Sequence, residues 1–240
     1  VALRRLLAFK VSPDGSRIAY TLRTTDLEAN KGLIDLWLIN ADGSNPRQLT
    51  SDPGPDSDPT FSPDGKSIFF LSARGGSSQV WKLSLEGGEP TQVTKSPIDI
   101  DSYTMSRDGS MIAFAAETFV DCDTLDCTKK RLDEQAKSKA SGRLYDSLFV
   151  RHWDTWKDGR RAHLFVTKTS GGTIVDVTKK LAADAPPKPF GGSEEFTFTA
   201  DGKSIVFTAR DVGRTEAWST DLDLFVTPVD GSKAPTKLTT

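Results

Sequence analysis

Histidine and cysteine are scarce in this 240-residue chain, with two of each. His152 and His163 are the only residues able to act as the proton shuttle of a Ser-His-Asp triad. Neither is accompanied by the Gly-x-Ser-x-Gly pentapeptide that seats a nucleophilic serine on a strained strand-to-helix turn. Gly192-Ser193 lacks the second glycine, and Gly43-Ser44-Asn45-Pro46 fails as well. No phosphate-binding loop of the Gly-x-x-x-x-Gly-Lys type and no dinucleotide fingerprint occurs. A metal site would need further ligands for Cys122 and Cys127, and the histidines stand at no ligand spacing from them. No catalytic residue, metal or cofactor is therefore assigned. Long apolar runs are also missing: nothing approaches the roughly 20 residues a helix needs to cross a membrane. Net charge is −2 with no strongly basic stretch, which argues against nucleic-acid binding. The balance of 27% charged and 36% hydrophobic residues fits a soluble globular protein.

A repeated turn is what the sequence does have. Ser12-Pro13-Asp14-Gly15, Ser62-Pro63-Asp64-Gly65, Ser106-Arg107-Asp108-Gly109 and Thr199-Ala200-Asp201-Gly202 share one design. Proline presets φ at the first central position, aspartate bonds to nearby backbone, and glycine takes the left-handed conformation that closes a hairpin. A type I turn tolerates Arg107 and Ala200 in place of proline. Each motif precedes a short apolar run: Ile18-Ala19-Tyr20, Ile68-Phe69-Phe70, Ile112-Ala113-Phe114 and Ile205-Val206-Phe207. A second half follows, as in Asp35-Leu36-Trp37 with Arg47-Gln48-Leu49-Thr50, or Gln79-Val80-Trp81 with Thr91-Gln92-Val93-Thr94. Four strands per unit, at a period of about 40–50 residues, mark β-propeller blades. The expected class is all-β, with blades at about 11–50, 61–94, 105–178 and 197–239. Four blades leave a ring open, so the chain reads as the first half or more of a larger propeller.

Between these units, residues 1–10 are compatible with a helical turn or a lead-in strand, since Leu3, Leu6 and Leu7 share a helical face. Residues 51–60 and 182–193, rich in proline and glycine, read as links between blades. The third blade carries an insertion, about 117–150, whose stretch Thr128 to Ser141 reads as a solvated helix. Cys122 and Cys127 lie in it. They are either free thiols or a short-loop disulfide. The disulfide would place the protein in an oxidising compartment, periplasmic or secreted, with the cytoplasm as the alternative.

Two clusters offer binding chemistry. Arg151-His152-Trp153-Asp154-Thr155-Trp156 is polar and aromatic. Its plainer reading is a strand with packed rings, but Arg151 could also hold a peptide carbonyl or carboxylate. Glu194 and Glu195 could hold a cationic group such as a free α-amine, or form a solvated loop pair.

The run Val11 to Tyr20, with Asp35-Leu36-Trp37 and Arg47-Gln48-Leu49-Thr50, resembles the N-terminal propeller of the prolyl oligopeptidase family, in its dipeptidyl-peptidase and acylaminoacyl-peptidase branches. Phe70-Leu71-Ser72-Ala73-Arg74, Gly87-Gly88-Glu89-Pro90 and the stretch Tyr145 to Val166 add to the likeness. The turn motif by itself is similar to the Tol-system periplasmic propeller. The resemblance implies a propeller of seven blades that caps an α/β-hydrolase domain absent from this chain. It further implies short peptides as substrates and a triad carried by no residue here. A homo-oligomer is compatible with it. The alternative is a non-enzymatic propeller scaffold that binds partner proteins.

Overall fold

The four turn motifs fold alike in a computed structural model that describes residues 3–142, 144–145, 150–152 and 155–239. In the first, Ser12 Oγ donates to Asp14 Oδ1 at 2.6 Å, the Ser16 amide donates to the same oxygen at 3.0 Å, and the Gly15 amide donates to the Ser12 carbonyl at 2.9 Å. Gly15 has φ 73°, the left-handed region that favours glycine. The same bonds recur at Ser62-Asp64, Ser106-Asp108 and Thr199-Asp201. The turns carrying Arg107 and Ala200 close as the others do, with amide-to-carbonyl bonds of 2.9 Å from Gly109 and Gly202.

Each turn joins the first two strands of a four-stranded antiparallel sheet whose strands follow in chain order. The first sheet holds β1 (Arg5–Val11), β2 (Arg17–Asp26), β3 (Lys31–Asn40) and β4 (Arg47–Gln48). The second holds β5 (Asp56–Phe61), β6 (Ser67–Ser72), β7 (Gln79–Ser84) and β8 (Thr91–Gln92). The third is built from β9 (Ser102–Met105), β10 (Met111–Phe119), β13 (Arg160–Lys168) and β14 (Val175–Asp176). Between its two middle strands come α1 (Leu125–Lys137) and a two-stranded ribbon of β11 (Arg151–His152) and β12 (Thr155–Trp156). The fourth sheet holds β15 (Phe196–Phe198), β16 (Ser204–Ala209), β17 (Asp223–Pro228) and β18 (Thr236–Lys237).

These sheets fall into two compact units, Val1–Lys95 with Thr169–Gly171, and Ser96–Lys168 with Gly172–Thr240. The first unit packs Ala19, Leu36 and Leu38 of its first sheet against Phe61, Ile68, Phe70 and Leu83 of its second. The second unit packs Ala113, Ala115, Leu164 and Val166 against Phe196, Phe198, Ile205, Phe207 and Phe225. In each unit, aliphatic side chains of one sheet thus meet aromatic rings of the next. A threonine closes every sheet: Thr50, Thr94, Thr178 and Thr239 accept from the amides of Leu36, Val80, Leu164 and Leu224 at 2.8–3.0 Å. Each bond ties the short last strand to the third.

The structure moves several boundaries. The strand that precedes each turn motif belongs to the same sheet, so the first sheet begins at Arg5 rather than near residue 11. β1 is largely exposed and shows no alternation of burial, which is why its sequence allowed a helical reading. Residues 56–60, expected as part of a link, belong to β5. Pro59 is accommodated because the register shifts between Ser57 and Thr60, with Asp58 at φ 51°. The insertion runs from 120 to 159, because β10 and β13 pair out to Phe119 and Arg160. Its helix starts earlier than the charge pattern suggested, since Thr124 caps it by accepting from the Cys127 amide at 3.2 Å.

Candidate functional site

In a sheet whose strands run up and down in order, alternate connections share an edge. In the second unit, the connections 106–110, 199–203 and 229–235 therefore lie at one edge. Residues 96–101, the described residues of 120–159, 177–195 and 210–222 gather at the other. The first group consists of tight turns. The second holds every long connection of the unit, and its polar side chains interlock.

Asp184 is the centre of this network. It is 6% exposed, within the stretch Ala183-Asp184-Ala185-Pro186-Pro187, all of it buried. Its Oδ1 accepts from the Ala162 amide at 2.8 Å, and its Oδ2 accepts from Lys157 Nζ at 3.1 Å and Arg161 Nη1 at 3.0 Å. Burial alone would raise its pKa; Lys157, the Ala162 amide and Arg161 outweigh that and hold it below the usual aspartate value. Arg161 also forks onto Glu216, with both bonds at 2.6 Å. That fork, with Asp184 beside it, raises the arginine's pKa, so its charge is permanent. Arg210 approaches Glu216 and donates to the Ser219 carbonyl at 3.1 Å. The connection 210–222 is thereby fastened to β13 and to the link before the fourth sheet, and it presents Trp218 at 73% exposure.

A second knot lies on the same edge. Lys188 Nζ reaches Asp101 at 3.1 Å and Glu117 at 3.4 Å, and Arg160 bridges Glu117 and Asp158. Burial would lower the Lys188 pKa, but the two carboxylates raise it. Asp101 is thus an anchor for the link. His163 is buried with both ring nitrogens engaged, Nδ1 with Asp176 Oδ2 at 3.0 Å and Nε2 with the Leu181 carbonyl at 2.9 Å. This geometry holds the link in place.

The binding residues expected from sequence lie on this edge but do not converge. Arg151 is exposed, with its guanidinium 5.2 Å from the Trp156 ring centroid; that ring stacks on Tyr145 at 6.0 Å. Trp153 and Asp154 of the same motif lie outside the described residues. Glu194 and Glu195 end a one-turn helix, Ser193–Glu195, that leads into β15. Glu194 is exposed and accepts from the Gly192 amide at 3.2 Å, while half-buried Glu195 accepts from the Thr208 hydroxyl. Among the described residues, no hydrogen bond or ion pair joins Arg151 to either glutamate. Cys122 and Cys127 are bridged, five positions apart. The bridge joins the first turn of α1 to the end of β10, where Thr118 and Thr128 share a buried hydrogen bond of 2.7 Å.

Sequence reading missed Asp184, Arg161 and Glu216. A single acid inside an alanine- and proline-rich link was the available signal. No described group of three or more metal-ligating side chains is present.

Residues 5–141 match the model of the TolB beta propeller domain. Dipeptidyl-peptidase 5 of Porphyromonas gingivalis is 34% identical over 230 residues, which cover 94% of this chain and 33% of that protein. The enzyme of the same name from Porphyromonas endodontalis is 28% identical, with 94% and 32% covered. The chain therefore spans about a third of the length of these curated relatives. Among solved structures, Pyrococcus horikoshii acylaminoacyl peptidase is 18% identical with a TM-score of 0.66, covering 99% of this chain and 32% of its own. TolB from Acinetobacter baumannii is 17% identical with a TM-score of 0.52, covering 95% and 52%. The structural likenesses show the fold, a β-propeller of four-stranded sheets.

Proposed function

Because the chain belongs to the TolB beta propeller domain family, we infer that it is the propeller portion of a serine exopeptidase or oligopeptidase. In this reading it gates and positions short peptides for a hydrolase domain supplied by the same parent polypeptide. The observation that carries the inference is the 34% identity to a dipeptidyl-peptidase along 94% of this chain. The likeness is not confined to the turn motif that all such propellers share. The physical role is exclusion and orientation: a rigid assembly of sheets admits flexible peptides and rejects folded proteins.

The edge that carries the long connections supplies the contacts. Arg151 offers a guanidinium, held against Trp156, to a peptide carbonyl or carboxylate. Glu194 and Glu195 offer negative charge to an α-amine. The Cys122–Cys127 bridge supports a periplasmic or secreted location, since disulfides persist in oxidising compartments.

The test compares the full-length parent with the 240-residue chain on a fluorogenic dipeptide substrate. The parent is expected to hydrolyse it, and the chain alone to be inert. Arg151→Ala in the parent should raise KM about tenfold, the worth of one charge-assisted hydrogen bond. Hydrolysis by the chain alone, or a parent without peptidase activity, overturns the reading. The second outcome favours a protein-binding scaffold, for which the family description and the TolB likeness speak.

A further inference from the structure

The residue that opens the third-strand motif of each sheet stands at an equivalent place in the repeat: Asp35, Gln79, His163 and Asp223. In register, the residue two positions further on lies opposite Gln48, Gln92, Asp176 and Lys237 of the last strand. Three of the four positions find partners within their own sheet. Gln79 Oε1 accepts from Thr94 Oγ1 at 3.0 Å, His163 meets Asp176, and Asp223 accepts from Thr239 at 3.0 Å and pairs with Lys237 at 2.6 Å. Asp35 has no such partner. Among the described residues, Thr50 accepts from the Leu36 amide but makes no bond to Asp35, unlike Thr94 and Thr239 in their sheets, and Gln48 gives its side-chain amide to the Thr50 carbonyl at 2.8 Å. Asp35 is 6% exposed and its Oδ1 has no hydrogen-bond partner.

Its charged surroundings make the deficit worse. Asp56, the first residue of β5, is fully buried and also has an orphan Oδ1; its Oδ2 pairs with Arg74 at 2.7 Å. Asp52, on the connection between the sheets, adds a second negative charge. Among the described residues no ion pair joins a cation to Asp35, and Arg74, the partner of Asp56, bonds that carboxylate at 2.7 Å. An ionised Asp35 would be a buried anion beside other anions, without a donor. A bound proton removes the charge, turns one acceptor into a donor, and needs no cavity.

We propose that Asp35 is a proton-binding site that couples the packing of the first two sheets to the acidity of the medium. Asp56 has an ion pair with Arg74 and Asp35 has none among the described residues, so the proton is assigned to Asp35. Burial, reinforced by Asp56 and Asp52, raises the Asp35 pKa from 3.8 to about 6, roughly a hundredfold tighter proton binding. At Asp35 the folded chain then holds more protons than the unfolded chain across that interval. The Asp35 share of stability is full below about pH 4, falls as the pH rises to about 6, and is constant above it.

The experiment follows the Asp35 carboxyl carbon by NMR in the whole chain while urea midpoints are recorded from pH 4 to 8. The expected Asp35 midpoint is near pH 6, and Asp56→Asn should lower it. Measured against Asp35→Asn, the wild-type urea midpoint should fall between pH 4 and 6.5. An Asp35 midpoint near 4, or a wild-type slope that persists unchanged in the variant, overturns the proposal. The carboxyl titration of the wild type decides the matter even if Asp35→Asn does not fold.

Discussion

Replacing Asp184 tests whether the edge network of the second unit is a structural clamp. In Asp184→Ala, the buried Ala162 amide loses its acceptor, a cost of about 1–3 kcal/mol for an unsatisfied buried donor. Lys157 and Arg161 lose a counter-charge as well. Both are about a quarter exposed and Arg161 retains Glu216, so solvent screening limits this loss to about 0.5–1 kcal/mol. The expected total is about 2–4 kcal/mol. Asp184→Asn keeps an oxygen for the Ala162 amide and removes only the charge, so it should cost about 1 kcal/mol. The acid limb carries a further signature. Asp184 has a lowered pKa in the folded state, so its stabilisation is present above the unfolded value of about 3.8 and is lost as the pH falls below it. Both variants should lack that share of the acid loss. Urea unfolding at pH 7 and at pH 3 measures all three quantities. Equal damage from Asp184→Ala and Asp184→Asn would refute the argument, because it would mean the Ala162 amide bond does not matter.

Two further outcomes follow from the repeat. Phe207 is 1% exposed and stacks on Phe225 at 5.5 Å between centroids, so Phe207→Ala should destabilise the chain by about 3–5 kcal/mol in urea unfolding. A loss below about 1 kcal/mol would show that the site is not closely packed. Asp14 and Asp108 accept from a turn serine, then from the amide and hydroxyl of Ser16 and Ser110, which lower both pKa values to about 2. Carboxyl titration by NMR should place both midpoints well under 3.8, and Ser12→Ala should raise that of Asp14 alone.

The parts of the fold that could be read from the sequence are those whose cause is local. Ser-Pro-Asp-Gly carries its own hydrogen bonds, so four hairpins, and the spacing between them, follow from four residues at a time. The paired rings are almost as direct, since the same register brings Tyr20 onto Trp37, Phe114 onto Phe165 and Phe207 onto Phe225. β1 was ambiguous because its pairing with β2 leaves it exposed, which erases the alternation a strand signal needs. β5 was hidden by Pro59, which only a register shift in the paired strand could permit. The edge network was hidden by distance along the chain. Asp184 meets Arg161 across 23 residues, and Arg161 meets Glu216 across 55, with no spacing rule to join them.

The same contrast locates where function can reside. Positions set by the repeat are occupied by residues that satisfy one another: threonine on a third-strand amide, aspartate on a turn, ring on ring. A site must depart from that pattern, because a fully satisfied repeat has no group left for a ligand. Departures occur along the edge that holds the long connections. There Arg151 stands exposed on a tryptophan, Glu194 bonds among the described residues only to the nearby Gly192 amide, and Trp218 is held out on a fastened connection. Asp35 departs in the other direction, since it lacks the partner the repeat gives its equivalents. An exposed departure can meet a peptide, whereas a buried one has access only to a proton. Substitutions at Arg151 should therefore change KM and leave unfolding untouched, and substitutions at Asp35 should do the reverse. An Asp35→Asn parent whose KM changed while its pH–stability curve did not would contradict this division.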